Sequence, residues 1–193
     1  MSPNRDLRSH LVVYYSRTGA TRQAASTLAE ILGADLLEIR TSRRYRAGTR
    51  GYALAALDAI FGREPEIRFL GAVPEFSRYK CVIVASPVWF SSVSPPVRSF
   101  LKHHRTSIGH LALVLTHGGS GATRAFTQMS EIAGITPIAR LAIQDQDLRT
   151  GLDAPEIKVK LDTFVREAGF APERVSPSLS HLPKTGGRTS KAG

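Results

Sequence analysis

The sequence predicts an α/β protein built on a doubly wound sheet of five parallel strands, with helices on both faces. Two observations lead to this fold class. Short apolar runs of strand length alternate with amphipathic helical patterns along most of the 193 residues, and right-handed crossovers then place the helices on both faces. Loops rich in Gly, Ser and Thr follow the first, third and fourth strands. Because parallel strands end at the same edge of a sheet, we expect these three loops to lie close together.

The five predicted strands are apolar runs bounded by polar or turn-forming residues. The first is typical of a strand buried on both faces of a sheet, and the third is the strongest of the five. Charged residues interrupt the second, which predicts a more exposed strand. In chain order, the strands are predicted at residues 11–15, 35–40, 80–86, 111–116 and 137–143.

The predicted helices connect these strands. In the first helix, apolar side chains recur on one face and Gly33 ends the pattern. The second is rich in Ala and ends at Gly62 and Pro65. The segments at 41–50 and 87–96 are predicted as loops. In chain order, the helices are predicted at residues 21–32, 52–61, 96–103, 123–133 and 155–168.

The two ends of the chain differ in composition from its middle. We expect one domain over residues 8–170 and a flexible basic tail at 171–193, where Pro and Ser are frequent and no helical or strand period is present. The N-terminal residues lack the apolar core of a secretory signal, and no apolar run has the length of a membrane span. The single cysteine, Cys81, fits a reducing compartment. These features predict a cytoplasmic protein without a membrane span.

The chain is strongly basic, with a formal net charge of +10. Such a charge favours an acidic protein, an anionic cofactor, a membrane surface or a nucleic acid as partner, although arginines scattered over a surface produce it too. Nucleic acid is disfavoured, because interleaved surface aromatics and a recognition helix are missing. Neither metal-ligand spacing of Cys and His nor a complete nucleophile triad is present in the sequence, so no metal site and no hydrolase is predicted.

The first loop, residues 16–21, carries three hydroxyl side chains around Gly19 and leads into a helix. Hydroxyls and backbone N–H groups at a helix N-terminus form a phosphate cradle. The loop lacks the lysine of a Walker A loop and the glycines of a dinucleotide fingerprint. An ordinary strand–helix turn with a Ser/Thr cap is the alternative. The predicted phosphate-binding residues are Ser16, Arg17, Thr18, Gly19, Ala20 and Thr21.

The second loop, residues 86–91, contains the chain's single tryptophan next to a phenylalanine. Flat rings bury a large area at little cost in conformational entropy, so Trp89 and Phe90 are candidates to stack on a flat ligand. Side chains that anchor the loop in the core are the alternative. The candidate residues are Ser86, Pro87, Val88, Trp89, Phe90 and Ser91.

The third loop, residues 116–121, is rich in glycine, which lets the backbone approach a flat ligand closely. His117 is a candidate to donate a hydrogen bond to an electron-rich ring edge or to assist proton delivery. A surface histidine without such a role is the alternative. The candidate residues are Thr116, His117, Gly118 and Gly119.

Over about residues 8–170 the chain resembles the flavodoxin family. The matching segments are YSRTGAT at 15–21, SPVWF at 86–90 with PPVRSF at 95–100, and THGGSG at 116–121. The resemblance implies the strand order 2-1-3-4-5, which is known for flavodoxins in general and does not follow from the spacing here. It also implies non-covalent FMN, with the phosphate in the first loop and the ring between the second and third, and redox chemistry. No catalytic residue is assigned.

Two features depart from the pattern of the family. Flavodoxins that carry electrons are usually acidic, whereas this chain is basic. Relatives often carry a glycine in the second loop, but here the chain reads FSSVS at 90–94. In those relatives the glycine peptide turns to a positive φ to bond the flavin N5–H of the semiquinone. A side chain makes that positive φ costlier by about 1 kcal/mol or more. The semiquinone is then less favoured, which favours two-electron chemistry.

The sequence therefore predicts an FMN-binding redox protein that transfers electrons through a non-covalently bound flavin, for example as a carrier for a redox partner protein. An NAD(P)H-dependent FMN reductase of a small acceptor such as a quinone is the first alternative, and a non-redox binding protein on the same fold is the second. A cluster of arginines favours an anionic nicotinamide cofactor or an acidic partner, unless it is only a solvated loop. Its members are Arg40, Arg43, Arg44, Arg46 and Arg50.

Overall fold

The computed structural model describes residues 10–43, 45, 49–150 and 155–170. The predicted tail at 171–193, the first two residues of the predicted domain, and Arg44 and Arg46 lie outside these residues. Within the described ranges the chain forms one sheet and six α-helices.

The sheet has seven strands among the described residues, joined in the order β3-β2-β1-β4-β6-β7, with β5 paired to β4. The predicted fold class is confirmed, because the path β2-β1-β4-β6-β7 is parallel and gives the five expected strands in the expected order. The count of five was too low, since β3 and β5 add short antiparallel partners to β2 and β4. The strands are β1 His10–Tyr14, β2 Asp35–Thr41, β3 Ile67–Leu70, β4 Cys81–Trp89, β5 Ser92–Val93, β6 Leu111–His117 and β7 Ala139–Gln144.

The helices lie close to their predicted positions. The first ends at Gly33, which has φ 59°, as the glycine there predicted. The second begins inside the segment predicted as a loop at 41–50, and a short fifth helix was not predicted. The helices are α1 Ala20–Leu32, α2 Thr49–Ile60, α3 Pro95–His104, α4 Ala122–Ala133, α5 Asp145–Thr150 and α6 Pro155–Glu167.

Both faces of the sheet are buried, because successive strand residues point to opposite sides. In β1, Leu11 and Val13 belong to the core that includes α3 and α4 residues. Val12 and Tyr14 belong to the second core, which includes α1 and α6 residues. With helices over both faces, the open places for a ligand are the loops at the strand ends.

The segment after the third parallel strand differs from its prediction. A loop was expected over 87–96, but β4 continues to Trp89 and returns at once as β5, with Val88 opposite Val93. Phe90 and Ser91 form the two-residue turn of this β4–β5 hairpin, with φ 51° and 57°. Positive φ at both central residues is the signature of a type I′ turn, which matches the twist of the flanking strands.

Candidate functional site

The first and third loops are joined at their bases. Thr21 Oγ1 in the first turn of α1 and Thr116 Oγ1 in β6 lie 2.7 Å apart, and both residues are buried. This hydrogen bond fixes the start of α1 relative to the strand that leads into the glycine-rich loop. The Thr21 hydroxyl thus has a partner within the protein, while Thr18 is exposed at the rim of the first loop.

The first loop has the geometry of an anion cradle. Gly19 has φ +106°, a conformation that favours glycine, and its N–H donates to Ser16 Oγ at 3.1 Å. The N–H groups of Ala20, Thr21 and Arg22 open α1 and have no acceptor within a helix. In α1, which is described from end to end, the first turn holds no acidic residue. The residues present therefore fit a phosphate group, which such N–H groups and the helix dipole attract.

The second loop presents aromatic side chains beside this cradle. The Trp89 ring packs edge to face against Tyr15 and Tyr45, with ring centroids 5.8 and 4.9 Å apart. The guanidinium carbon of Arg17, from the first loop, lies 5.8 Å from the Trp89 ring centroid. Phe90, at the tip of the hairpin, is 42% exposed. A cleft of about 60 Å³ is lined by Arg17, Ala55, Val88, Trp89 and Phe90.

Buried polar groups fix the position of Tyr45, whose ring packs against Trp89. The Tyr45 hydroxyl donates to Asp58 Oδ2 at 3.1 Å, and Arg43 donates to both oxygens of the same carboxylate, with Nη2 at 2.9 Å from Oδ1. Asp58 is only 2% exposed. Burial, reinforced by Asp58, raises the pKa of Tyr45, and burial raises the pKa of Tyr15 to about 12. Both phenols therefore stay protonated at neutral pH. The sequence prediction missed Tyr45 and Asp58, although a lone carboxylate in an apolar helix was a signal for such a pairing.

Two members of the predicted arginine cluster form ion pairs with different carboxylates. Arg43 pairs with Asp58, and Arg40 pairs with the buried Glu38 at 3.0 Å. Arg44 and Arg46 lie outside the described residues, as does the side chain of Arg50. Arg40 and Arg43 thus neutralise buried carboxylates of the protein itself.

Serine hydroxyls close the base of the β4–β5 hairpin. The hydroxyls of Ser86 and Ser94 lie 2.9 Å apart, and the Ser94 N–H donates to Ser86 Oγ at 3.3 Å. Both serines are buried. Ser86 thereby connects the two ends of the segment that carries Pro87, Val88 and the aromatic pair.

The third loop contains a buried histidine. His117 is 8% exposed, so it is not the surface histidine considered as the alternative. The Gly119 N–H donates to His117 Nδ1 at 3.1 Å. The proton of the neutral imidazole is therefore on Nε2, where it is available to donate.

The second and third loops also touch. Gly121 has φ +87°, and a Cβ built on it would lie 2.6 Å from Ser91 Cα. All three loops thus contact one another at one edge of the sheet: first with third through threonines, first with second through Arg17, and second with third through Gly121. The three loops lie together at one edge of the sheet, as the alternation of strands and helices predicted.

The family model described as Flavodoxin matches residues 9–139, more than half of the chain. The chain belongs to the flavodoxin family. No curated protein sequence matches this flavodoxin-family chain. Within the part of the chain that the structure describes, no helix is long and apolar enough to cross a membrane, and no group of three or more His, Cys, Asp or Glu residues could hold a metal ion.

Solved structures of flavoproteins resemble this flavodoxin-family chain. A flavoprotein from Lactobacillus acidophilus NCFM, crystallised in complex with FMN, is 26% identical; the match covers 74% of this chain and 97% of that one, with a TM-score of 0.62. A protein from Bacteroides eggerthii DSM 20697, with a provisional flavoprotein description, is 20% identical over 81% and 98%, with a TM-score of 0.63. A flavodoxin, a WrbA-like protein from Agrobacterium tumefaciens, is 12% identical over 84% and 96%, with a TM-score of 0.52. The last two show the shared fold alone.

Proposed function

We propose that this chain binds FMN non-covalently within residues 8–170 and exchanges electrons through it with an acidic redox partner protein. The observation that carries the proposal is the mutual contact of the three strand-end loops. An anion cradle and an aromatic wall lie side by side at this edge of the sheet. FMN needs both, because its phosphate and its flat ring are recognised by different chemistry.

The first loop is assigned to the phosphate. The N–H groups at the start of α1 and the hydroxyl of Thr18 donate to its oxygens, while Arg17 adds positive charge. Gly19 keeps the backbone in the left-handed conformation that the cradle requires. Charge-assisted hydrogen bonds of this kind are the strong ones, so most of the discrimination for FMN over a flavin without phosphate comes from this loop.

The second and third loops are assigned to the ring. Bound FMN supplies the redox chemistry, since its ring takes up and returns electrons. Trp89 and Phe90 cover apolar ring surface and exclude water from it. His117, which carries its proton on Nε2, is a donor for the electron-rich edge of the ring.

The charge of the chain supports an acidic partner protein. A net charge of +10 accelerates encounter with a negatively charged surface. The arginines that favoured a nicotinamide cofactor on sequence grounds give that alternative less support, because Arg40 and Arg43 are paired with buried carboxylates. We therefore propose an electron carrier ahead of an NAD(P)H-dependent reductase.

Flavin titration tests the binding step. Apoprotein is titrated with FMN and, as the matched control, with riboflavin, which has the same ring and no phosphate; flavin fluorescence reports binding. We expect FMN to bind more tightly than riboflavin by at least about tenfold, because only FMN engages the anion cradle. Absence of FMN binding, or equal affinity for both flavins, contradicts the proposal.

Electron transfer is tested on the FMN-loaded protein. We expect no NADPH oxidation above background with a quinone as acceptor, and rapid flavin reduction by a reduced acidic electron-transfer protein. The second rate should fall as salt is added, because salt screens the attraction between opposite charges. Sustained NADPH oxidation by the protein alone would instead identify the reductase.

A further inference from the structure

The turn that carries Phe90 and Ser91 has an unfavourable sequence for its conformation. Type I′ turns strongly prefer Asn-Gly, Asp-Gly or Gly-Gly, because both central residues have positive φ. Here a phenylalanine and a serine take these positions, with φ 51° and 57°. Non-glycine residues persist in such a region only where the surrounding structure holds them. The neighbouring helix α4 supplies contacts that do so.

One contact is a side-chain amide that extends the short strand β5. Gln128 in α4 accepts from the Val93 N–H through Oε1 at 3.1 Å and donates through Nε2 to Ser92 Oγ at 3.4 Å. Since β5 has only two residues, its ladder with β4 is too short to fix the turn by itself. The amide of Gln128 ties the returning strand of the hairpin to α4.

The other contact is a close approach that only glycine allows. Gly121, the N-cap of α4, has φ +87°, and a Cβ on it would lie 2.6 Å from Ser91 Cα and 2.9 Å from Ser91 Cβ. These atoms belong to the backbone and the root of the side chain, so they cannot move aside by a rotamer change. Gly134, at the other end of α4, also has positive φ (+65°), but a Cβ there meets nothing within 4 Å among the described residues.

We propose that Gly121 and Gln128 are positioning residues that hold the Phe90–Ser91 turn in its left-handed form, so that the ring-binding loop is set before FMN binds. Gly121 blocks one side of the turn, and Gln128 holds the strand that leaves it. The effect on the flavin rests on the proposed function. The two contacts of Gly121 and Gln128 with the hairpin, which we call the clamp, are a property of the apoprotein.

Gly121→Ala and Gly134→Ala form a matched pair for the first contact. Both place a methyl group on a positive-φ residue that caps α4, with φ 87° at Gly121 and 65° at Gly134, so both carry a backbone penalty. Only Gly121→Ala collides with Ser91. We expect it to increase acrylamide quenching of Trp89 in the apoprotein, and to weaken FMN binding relative to Gly134→Ala by about tenfold. We also expect it to shift the flavin midpoint potential, which Gly134→Ala leaves unchanged.

The second contact is tested without steric change at the turn. Gln128→Leu removes both hydrogen bonds, Gln128→Glu keeps an acceptor for the Val93 N–H, and Thr127→Ala alters the exposed neighbouring position. We expect increased Trp89 quenching and a shifted potential for Gln128→Leu, recovery of both towards wild type in Gln128→Glu, and no change for Thr127→Ala.

The two proposals fail separately. If Gly121→Ala and Gln128→Leu quench like their controls, the clamp is refuted whether or not the protein binds FMN. If the quenching differs as expected but wild-type protein binds no FMN, the clamp is supported and the proposed function is refuted. Equal potentials in Gly121→Ala and Gly134→Ala would contradict the positioning role.

Discussion

Removal of the buried carboxylate of Asp58 should destabilise the protein and disturb the packing of Tyr45 against Trp89. Asp58 is 2% exposed and accepts hydrogen bonds from Arg43 and Tyr45, and the Nε of Arg63 lies 3.5 Å from its Oδ1. Asp58→Ala leaves the buried Tyr45 hydroxyl without its acceptor and Arg43 without its counter-charge.

The expected loss follows from the burial of each partner. An unsatisfied buried donor costs about 1–3 kcal/mol, and breaking a fully buried ion pair costs about 3–5 kcal/mol. Arg43 is 36% exposed and Arg63 is 66% exposed, so water solvates much of the released charge and the ion-pair figure is an upper bound. We expect Asp58→Ala to lower the free energy of unfolding by about 2–3 kcal/mol, which corresponds to a fall in Tm of about 5–10 °C at this chain length. Asp58→Asn, which keeps an oxygen acceptor for Tyr45, should lose less.

Urea unfolding and Trp89 emission measure this prediction on the same samples. Glu75→Ala is the matched control, because Glu75 also pairs with an arginine, Arg78 at 2.8 Å, but is 63% exposed. An exposed pair contributes about 0–1 kcal/mol, so the control should change little. Since the Tyr45 ring packs on Trp89, only Asp58→Ala should also shift the Trp89 emission. Equal stability losses in the two variants, or an unchanged emission in Asp58→Ala, would refute the assigned role of the buried network.

Three further outcomes are expected. Burial raises the folded-state pKa of Tyr15 from 10.0 to about 12, so the free energy of unfolding should fall as pH rises from 10 towards 12, where only the unfolded state has released the proton. Tyr15→Phe should flatten this fall, which urea unfolding at several pH values measures. An unchanged dependence of the free energy of unfolding on pH in Tyr15→Phe would contradict the prediction. Burial raises the pKa of the Cys81 thiol to about 12, so disulfide reagents at pH 8 should modify it only as fast as the protein opens; rapid labelling of the folded protein would show otherwise. Gly19→Ala should weaken FMN binding by about tenfold compared with Gly33→Ala, which places the same methyl group on a positive-φ residue at the other end of α1. Titration of both variants with FMN measures the ratio of their affinities. Equal affinities would contradict the assignment of Gly19 to the phosphate site.

The parallel core of the sheet could be predicted because each of its strands has a strong local signal. Strands buried on both faces need continuous apolar runs, and β4 and β6 have them. Two strands were missed for a physical reason. β3 has four residues and only half of them face the core, and β5 has two, so their pairing depends on partners supplied by the fold. Short edge strands leave almost no period in a sequence.

The meeting of the three loops at one sheet edge was predicted better than the contacts within them. Hydroxyls and glycines after buried strands indicate a ligand edge from local sequence alone, and the three loops do meet there. The support behind Trp89 is different, because Tyr45 and Asp58 come from segments distant in sequence from it. The turn at Phe90 was missed because it has no Asn or Gly, the residues by which such turns are recognised. Its conformation is imposed from outside the hairpin.

That imposed turn changes the argument drawn from the missing glycine. Two-electron chemistry was expected on the ground that a left-handed backbone is costly to reach when a side chain is present. Phe90 and Ser91 already have φ 51° and 57°, so the cost, of order 1–3 kcal/mol for each residue, is part of the folding free energy. Under the proposed function, this cost therefore does not arise again during electron transfer. The contacts of Gly121 and Gln128 offset it. Under the proposed function, the redox behaviour of the flavin is therefore coupled to α4. A variant that removes these contacts, such as Gln128→Leu, should release the turn, lose folding stability because the contacts outweigh the strain, and shift the flavin potential.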